Sequence, residues 1–438
     1  MQVLTYLAAV ALVLGVLVFV HEFGHYAVAK LCGVRVEVFS LGFGKRLWGF
    51  RKGDTDYRIS LLPLGGYVKM AGENPMETHT GDPGEFTSHP RWQRFLIAIA
   101  GPTMNVILAI VVFTGVFMVH HEYSPLERRP LDIFFVTPGS PADKAGIRFG
   151  DRIIKIDGVQ NPTWTDAATQ FGLSPNQAVD VTIQRGDQTL QTKVVPEPTG
   201  PERVGDAGIE PPEVIGTLEP GLPAANAGLR VGDVLLSIDG NRVRNTQEVM
   251  DVMQKVKDSP VQVLVWRGGQ ELTVTLKPVL NEVESEGTKY RIGFRAGAIE
   301  RLPFGAAFIG AYQECKANSL LIFKLLGKMV ERPTVYFKQM SGPIGITMIS
   351  GEAAERGFSY LMWVMALISL NLAVFNLLPI PILDGGLMLM LAIEGIMRRD
   401  IKQEVKERVY QAAFVFLVLF AAVVIFNDVA KTLPPHLS

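Results

Sequence analysis

The sequence predicts a polytopic α-helical membrane protein. It has four transmembrane helices, a β-hairpin that re-enters the membrane, and two α+β domains inserted between the second and third spans. Three observations carry this. Four uncharged runs approach or exceed the roughly 20 apolar residues a bilayer crossing needs. The stretch between the second and third runs repeats itself at a fixed offset. Lys and Arg gather in two of the connections, which fixes an orientation.

Composition agrees. The chain has 438 residues, too many for one ordinary domain, and is 48% hydrophobic with mean hydropathy +0.23. Its net charge of −1 offers no global field for nucleic acid. Cys32 and Cys315 are too few for a disulfide framework or a cysteine-rich metal site.

The first run is Val3 to Val20, with helix continuing towards Lys30. It has no basic n-region, so a retained span is expected rather than a cleaved signal. The others are Phe95 to Val119, Ser359 to Leu383, and Val409 to Phe426. Ten Lys and Arg lie from Lys30 through Arg94, and Arg398, Arg399, Lys402, Lys406 and Arg408 lie between the last two runs. Both connections are therefore expected in the cytoplasm, with both termini and the segment from about His120 to Gly357 outside.

The first run leads into His21-Glu22-Phe23-Gly24-His25. On a helix, residues four apart share a face, so both imidazoles can bind one metal ion with Glu22 beside it as general base. Ionisable groups next to a lipid-spanning run are costly and functional by default. An open catalytic zinc site needs a third protein ligand. The first acid downstream, Glu37, falls in a segment that reads as strand, and no helical Glu precedes the second span. Asp384 stands where the third run stops; Asn371 and Asn376 are polar within that run, and Pro379 and Pro381 break its helix. Between the first two runs, Tyr57, Ile59 and Leu61 alternate before Pro63, Gly65 and Gly66, which reads as a hairpin entering the membrane from the cytoplasmic side. Gly65-Gly66-Tyr67 would let another backbone approach closely.

In the outer segment, PGSPADKAGIRFGDRIIKIDG (138–158) recurs as PGLPAANAGLRVGDVLLSIDG (220–240), an offset of 82. AVDVTIQRGDQTL and PVQVLVWRGGQEL continue it as hairpins. This resembles two tandem, circularly permuted PDZ domains. The resemblance implies peptide capture by strand addition at Gly208-Ile209 and Gly293-Phe294. Bulk that filters substrates by size is an equal alternative. Residues 302–330 show apolar helical spacing broken by Glu314, Lys316, Lys324 and Lys328, as in an amphipathic helix at the outer membrane surface. The expected divisions are 1–119, 120–212, 213–298, 299–356 and 357–438.

HEFGH, AGPTMN at 100–105 and LDGG at 383–386, with SGPIGI at 341–346 and IFND at 425–428, resemble the site-2 protease family of intramembrane zinc proteases. The tandem PDZ insert resembles its bacterial regulator-of-sigma-E subgroup, over essentially the whole chain. The resemblance implies one Zn²⁺ per chain on His21, His25 and Asp384, with Glu22 as base. It implies substrate contacts at Asn371, Asn376, Pro379, Pro381 and along the hairpin edge at Gly65, Gly66 and Tyr67. The implied substrate is a single-span membrane protein, such as an anti-sigma-factor remnant or a remnant signal peptide, in the inner membrane of a diderm bacterium, with the PDZ pair periplasmic. Membrane lipid and a peptide C-terminus at the PDZ domains complete the expected partners. The competing readings are a metal-binding or transport protein using the same three ligands, and a non-catalytic PDZ scaffold. His79, His89, His120, His121 and His436 read as surface residues, Arg91 and Arg94 as interface anchors, and Asn105 as an interhelical hydrogen-bonding group.

Overall fold

A computed structural model describes residues 2–73, 81–200, 203–283, 287–331 and 342–432. His79, His436 and Ser341 lie outside the described residues. The chain forms two units, Met1–His120 with Arg301–Ser438, and His121–Glu300.

The first unit opens with α1 (Gln2–Cys32), an unbroken helix that carries the apolar run and HEFGH together. Next comes a hairpin of β1 (Val36–Lys52) and β2 (Thr55–Met70). Tyr57, Ile59 and Leu61 thus share one strand with Gly65 and Gly66, and the partner strand lies upstream. The hairpin folds back on itself: residues 36–41 pair with 66–70 on one side and with 56–59 on the other, and 46–52 pair with 55–60. The fold-back needs Gly42 and Gly44, at φ 90° and 88°. Segment 66–70 is left as an edge. Phe43, Leu47, Trp48 and Phe50 are exposed on the hairpin. Helix α2 (Arg91–Val119) follows.

The unit His121–Glu300 repeats in structure as it does in sequence. Its two five-stranded sheets have matching order, 131–132, 152–156, 179–185, 188–194 and 213–214, 234–238, 261–267, 270–276, each with a short strand (159–160 or 241–242) beside its second member. Helices α3 (Pro141–Lys144) and α4 (Trp164–Gly172) belong to the first sheet; α5 (Pro223–Asn226) and α6 (Thr246–Val256) belong to the second. Each sheet has its own apolar core, one around Ile153, Val181 and Phe171, the other around Leu235, Val263 and Met253. Buried Asp151 accepts two hydrogen bonds from Arg185, and Asp233 accepts two from Arg267, 82 residues on. Both guanidiniums also donate to a carbonyl, of Gly146 or Gly228.

The chain returns to the first unit with α7 (Phe304–Glu331). Its small face, Ala307, Ala311 and Cys315, packs with Ala109, Phe113 and Phe117 of α2. Then come α8 (Pro343–Arg356), α9 (Phe358–Asn376), α10 (Asp384–Met397) and α11 (Gln403–Thr432). Asp428 of α11 caps α8, accepting from the amides of Gly342, Ile344 and Gly345. Among the described residues, four helices are long and apolar enough to cross a membrane: Val3–Cys32, Arg91–Val119, Phe358–Asn376 and Gln403–Val429. The third is shorter than the apolar run suggests. It ends at Asn376, not Leu383, because Pro379 and Pro381 push the residues before them out of helical geometry. Asp384 then opens α10, a helix the apolar run concealed. Arg91 and Arg94, expected as interface anchors, stand at the start of α2. Arg94 is buried, and Arg91 pairs with Asp400 at 2.8 Å. Buried Glu394 of α10 bonds Lys406 of α11 at 2.7 Å.

Candidate metal centre

His21, Glu22 and His25 project from α1 where α2 crosses it. The crossing is close because its residues are small. A Cβ on Gly24 would lie 2.5 Å from the Ala100 carbonyl, and one on Gly101 would lie 2.2 Å from His25 Nε2. That proximity lets α2 orient both rings. His25 Nδ1–H donates to the Ile97 carbonyl at 2.8 Å. His21 Nδ1 lies 3.2 Å from the Asn105 side-chain amide, whose Oδ1 has no other partner. With Oδ1 turned to Nδ1–H, both groups are satisfied. Each ring then turns its Nε2 acceptor towards Asp384, as a metal-ligating histidine requires.

Asp384 comes from the opposite side of the fold. Residues 377–383 turn tightly, with Ile382 at φ 90°, a costly backbone state for a β-branched residue. Gly385 and Gly386 let α10 start against this turn, since Cβ atoms there would lie 2.3 Å and 2.2 Å from the carbonyls of Leu377 and Ile380. The turn brings Asp384 Oδ2 to 3.2 Å from His21 Nε2 and Oδ1 to 3.4 Å from His25 Nε2. The two Nε2 atoms are 3.2 Å apart.

These groups fit zinc. Ligands about 2.0–2.1 Å from a tetrahedral ion stand about 3.3–3.4 Å from one another. With both protons on Nδ1, the converging atoms are all acceptors, and Asp384 Oδ2 has no hydrogen-bond donor. Such a set, with both histidines buried and Asp384 half-buried, calls for a cation. Among the described residues, His21, His25 and Asp384 are the group of three that could hold a metal ion.

The triad opens on a cavity of about 270 Å³ also lined by Glu22, Tyr67, Val68, Glu73 and Asn376. Glu22 Oε2 accepts from the Val68 amide at 2.9 Å, which ties the helix to the hairpin edge. Gly66 permits the pairing that forms this edge, since its Cβ would stand 2.7 Å from the Ser40 carbonyl on the partner strand. Gly65, at φ 127°, has the Phe43 ring where a side chain would go. The Tyr67 hydroxyl accepts from Arg58, whose guanidinium also stacks over the Tyr67 ring.

The expected contact residues divide. Asn376 lines the cavity, its Nδ2 3.3 Å from His21 Nε2. Asn371 is exposed on α9 and does not line it. Pro379 and Pro381 line a separate cavity of about 260 Å³ against α10 and α11. In the repeated unit, Gly208 (φ 72°) and Gly293 (φ 84°) face Ser140 and Leu222. Ile209 pairs with Val136, and Phe294 with Leu218; no second strand pairs with either segment among the described residues. His121 pairs with Glu300 at 3.1 Å and His89 with Gln93 at 2.8 Å, away from the cavity. Sequence reasoning missed the Ile97 carbonyl, the Val68 amide and Glu73. Asn105 carried a usable signal, because AGPTMN puts it four residues from Gly101, on the same face of α2.

The chain is similar to known proteins over most of its length. Residues 9–420 match the model of Peptidase family M50. The Regulator of sigma-E protease RseP of Salmonella typhimurium is 33% identical, across 98% of this chain and 100% of its own. The Regulator of sigma-E protease RseP of Escherichia coli K12 is 35% identical, across 97% and 98%. Protease RseP of Yersinia pestis is 34% identical, across 98% and 100%.

Proposed function

The chain belongs to peptidase family M50, the site-2 protease type of metalloendopeptidase, and from that premise we propose that it cuts transmembrane segments of single-span membrane proteins. The observation that carries the reading is the meeting of the HEFGH pair with Asp384 beside a strand edge that no other strand covers among the described residues. A membrane-spanning helix hides its peptide bonds, since every carbonyl already has a partner. Cleavage therefore needs a few residues unwound and held extended. Segment 66–70 supplies an edge to hold them by strand addition. The exposed Phe43, Leu47, Trp48 and Phe50 support a hairpin seated in the membrane.

In this reading His21, His25 and Asp384 hold one zinc ion. When bound, the ion supplies Lewis acidity, enough to ionise water near pH 7. Glu22 takes the proton from the attacking water and returns it to the departing amine. Asn376 Nδ2–H donates to the oxygen of the scissile carbonyl, and Tyr67 and Val68 border the extended segment. Pro379 and Pro381 fix the turn that presents Asp384, and Asn371, exposed on α9, contacts the substrate segment outside the cavity. The PDZ pair, through Gly208-Ile209 and Gly293-Phe294 or by bulk, admits shortened substrates. The relatives named regulator of sigma-E protease support an anti-sigma-factor remnant as substrate, and an inner membrane location with the PDZ pair periplasmic.

The test is cleavage of a single-span substrate by the full chain in detergent. Glu22→Gln is expected to keep zinc and lose about 10²- to 10⁴-fold in kcat, the usual worth of a general base. Equal cleavage by both proteins would overturn the reading.

A further inference from the structure

The edge segment 66–70 is not bare. Successive residues on one side of a strand are two apart, so Val68 and Met70 turn their amides to the same side. Both amides are held by carboxylates: Val68 N–H donates to Glu22 at 2.9 Å, and Met70 N–H donates to Glu73 Oε2 at 3.2 Å. Glu73 reaches back across a turn closed by its own amide on the Met70 carbonyl. It lines the same cavity as the metal triad, yet it is neither one of the three converging ligands nor the base.

We propose that Glu73 is a self-cap on the substrate edge, a carboxylate that occupies the Met70 amide until an extended peptide displaces it. This rests on the proteolytic reading above. An incoming strand needs the outward amides of this edge, and at Met70 it must replace a charge-assisted bond with a neutral one. That exchange disfavours docking, so Glu73 sets how readily the edge accepts a strand. The same docking takes the Val68 amide from Glu22, so filling the edge and releasing the base are one event. Segments that cannot unwind offer no carbonyl for the exchange and leave the edge capped.

The test compares two zinc-binding inhibitors on the full chain: a peptide hydroxamate long enough to form a strand, and acetohydroxamate, which has no strand. Glu73→Ala is expected to lower the Ki of the peptide hydroxamate and the KM of a transmembrane substrate about five- to tenfold, the worth of one charge-assisted hydrogen bond partly open to water. Acetohydroxamate Ki and bound zinc should stay within about twofold, as expected for a group outside the metal's own partners. Glu73→Gln, which keeps an uncharged acceptor, should fall between. It also decides the question should the alanine variant fail to fold. A peptide Ki that rises or stays put in both variants overturns the self-cap, as does an equal change for both inhibitors. A wild-type chain that neither cleaves nor binds either hydroxamate overturns the proteolytic reading and the self-cap with it.

Discussion

Two carboxylate environments, one taken from each unit, make an instructive contrast. In the repeated unit, Asp151 and Asp233 are each 1% exposed, and each is matched by an arginine and by backbone amides. In the membrane unit, Asp384 lies between two imidazoles whose protons point elsewhere, and its Oδ2 finds no donor. A buried polar group without a partner is expensive, so Asp384 stands where a ligand completes the set. Satisfied acids hold the repeats together, whereas Asp384, converging with two imidazoles, marks the chemistry.

Substitutions can break or sharpen that contrast. The largest effect belongs to Asp384→Ala. It should weaken zinc binding by more than about 100-fold, beyond what loss of an outer partner costs, and abolish cleavage while the chain stays folded; zinc titration and circular dichroism check this. Asp233→Ala should do the reverse. Leaving Arg267 without its buried partner costs about 3 kcal/mol, at the low end for a broken buried pair because the arginine is partly exposed. Urea unfolding followed by proteolysis within residues 121–300 should detect it, with zinc still bound. Gly101→Ala puts a methyl group on His25, so α2 must move away. Loss of zinc affinity by about 10- to 100-fold, as for a displaced outer-shell group, is the expected result. Asn105→Ala is the mildest. It removes the partner of His21 Nδ1 and should weaken zinc near the lower end of that range, with unchanged thermal stability.

How much was legible follows the same division. HEFGH was readable because its geometry is local, one turn of one helix. The tandem domains were readable because the sequence states the same unit twice, down to the Asp–Arg pair 82 residues apart. Asp384 could be picked out as the acid ending an apolar run, but its position at the start of a new helix could not. The run Leu387–Met397 is too short for a span, and buried Glu394 disguises it. The partners of the histidines depend on the approach of Gly24 to Ala100, a tertiary contact with no sequence period. Glu73 carried no signal at all, since its role depends on which edge of a folded-back hairpin faces α1.

The most direct test of the central claim is X-ray absorption at the zinc edge of the purified full chain, comparing wild type with Asp384→Asn and with Asp151→Asn. The account predicts one zinc per chain with two imidazoles and oxygen donors in the wild type and in Asp151→Asn, and a lost or altered shell in Asp384→Asn. An identical shell and occupancy in Asp384→Asn would contradict it, and the unpartnered carboxylate would then have to be explained without a metal.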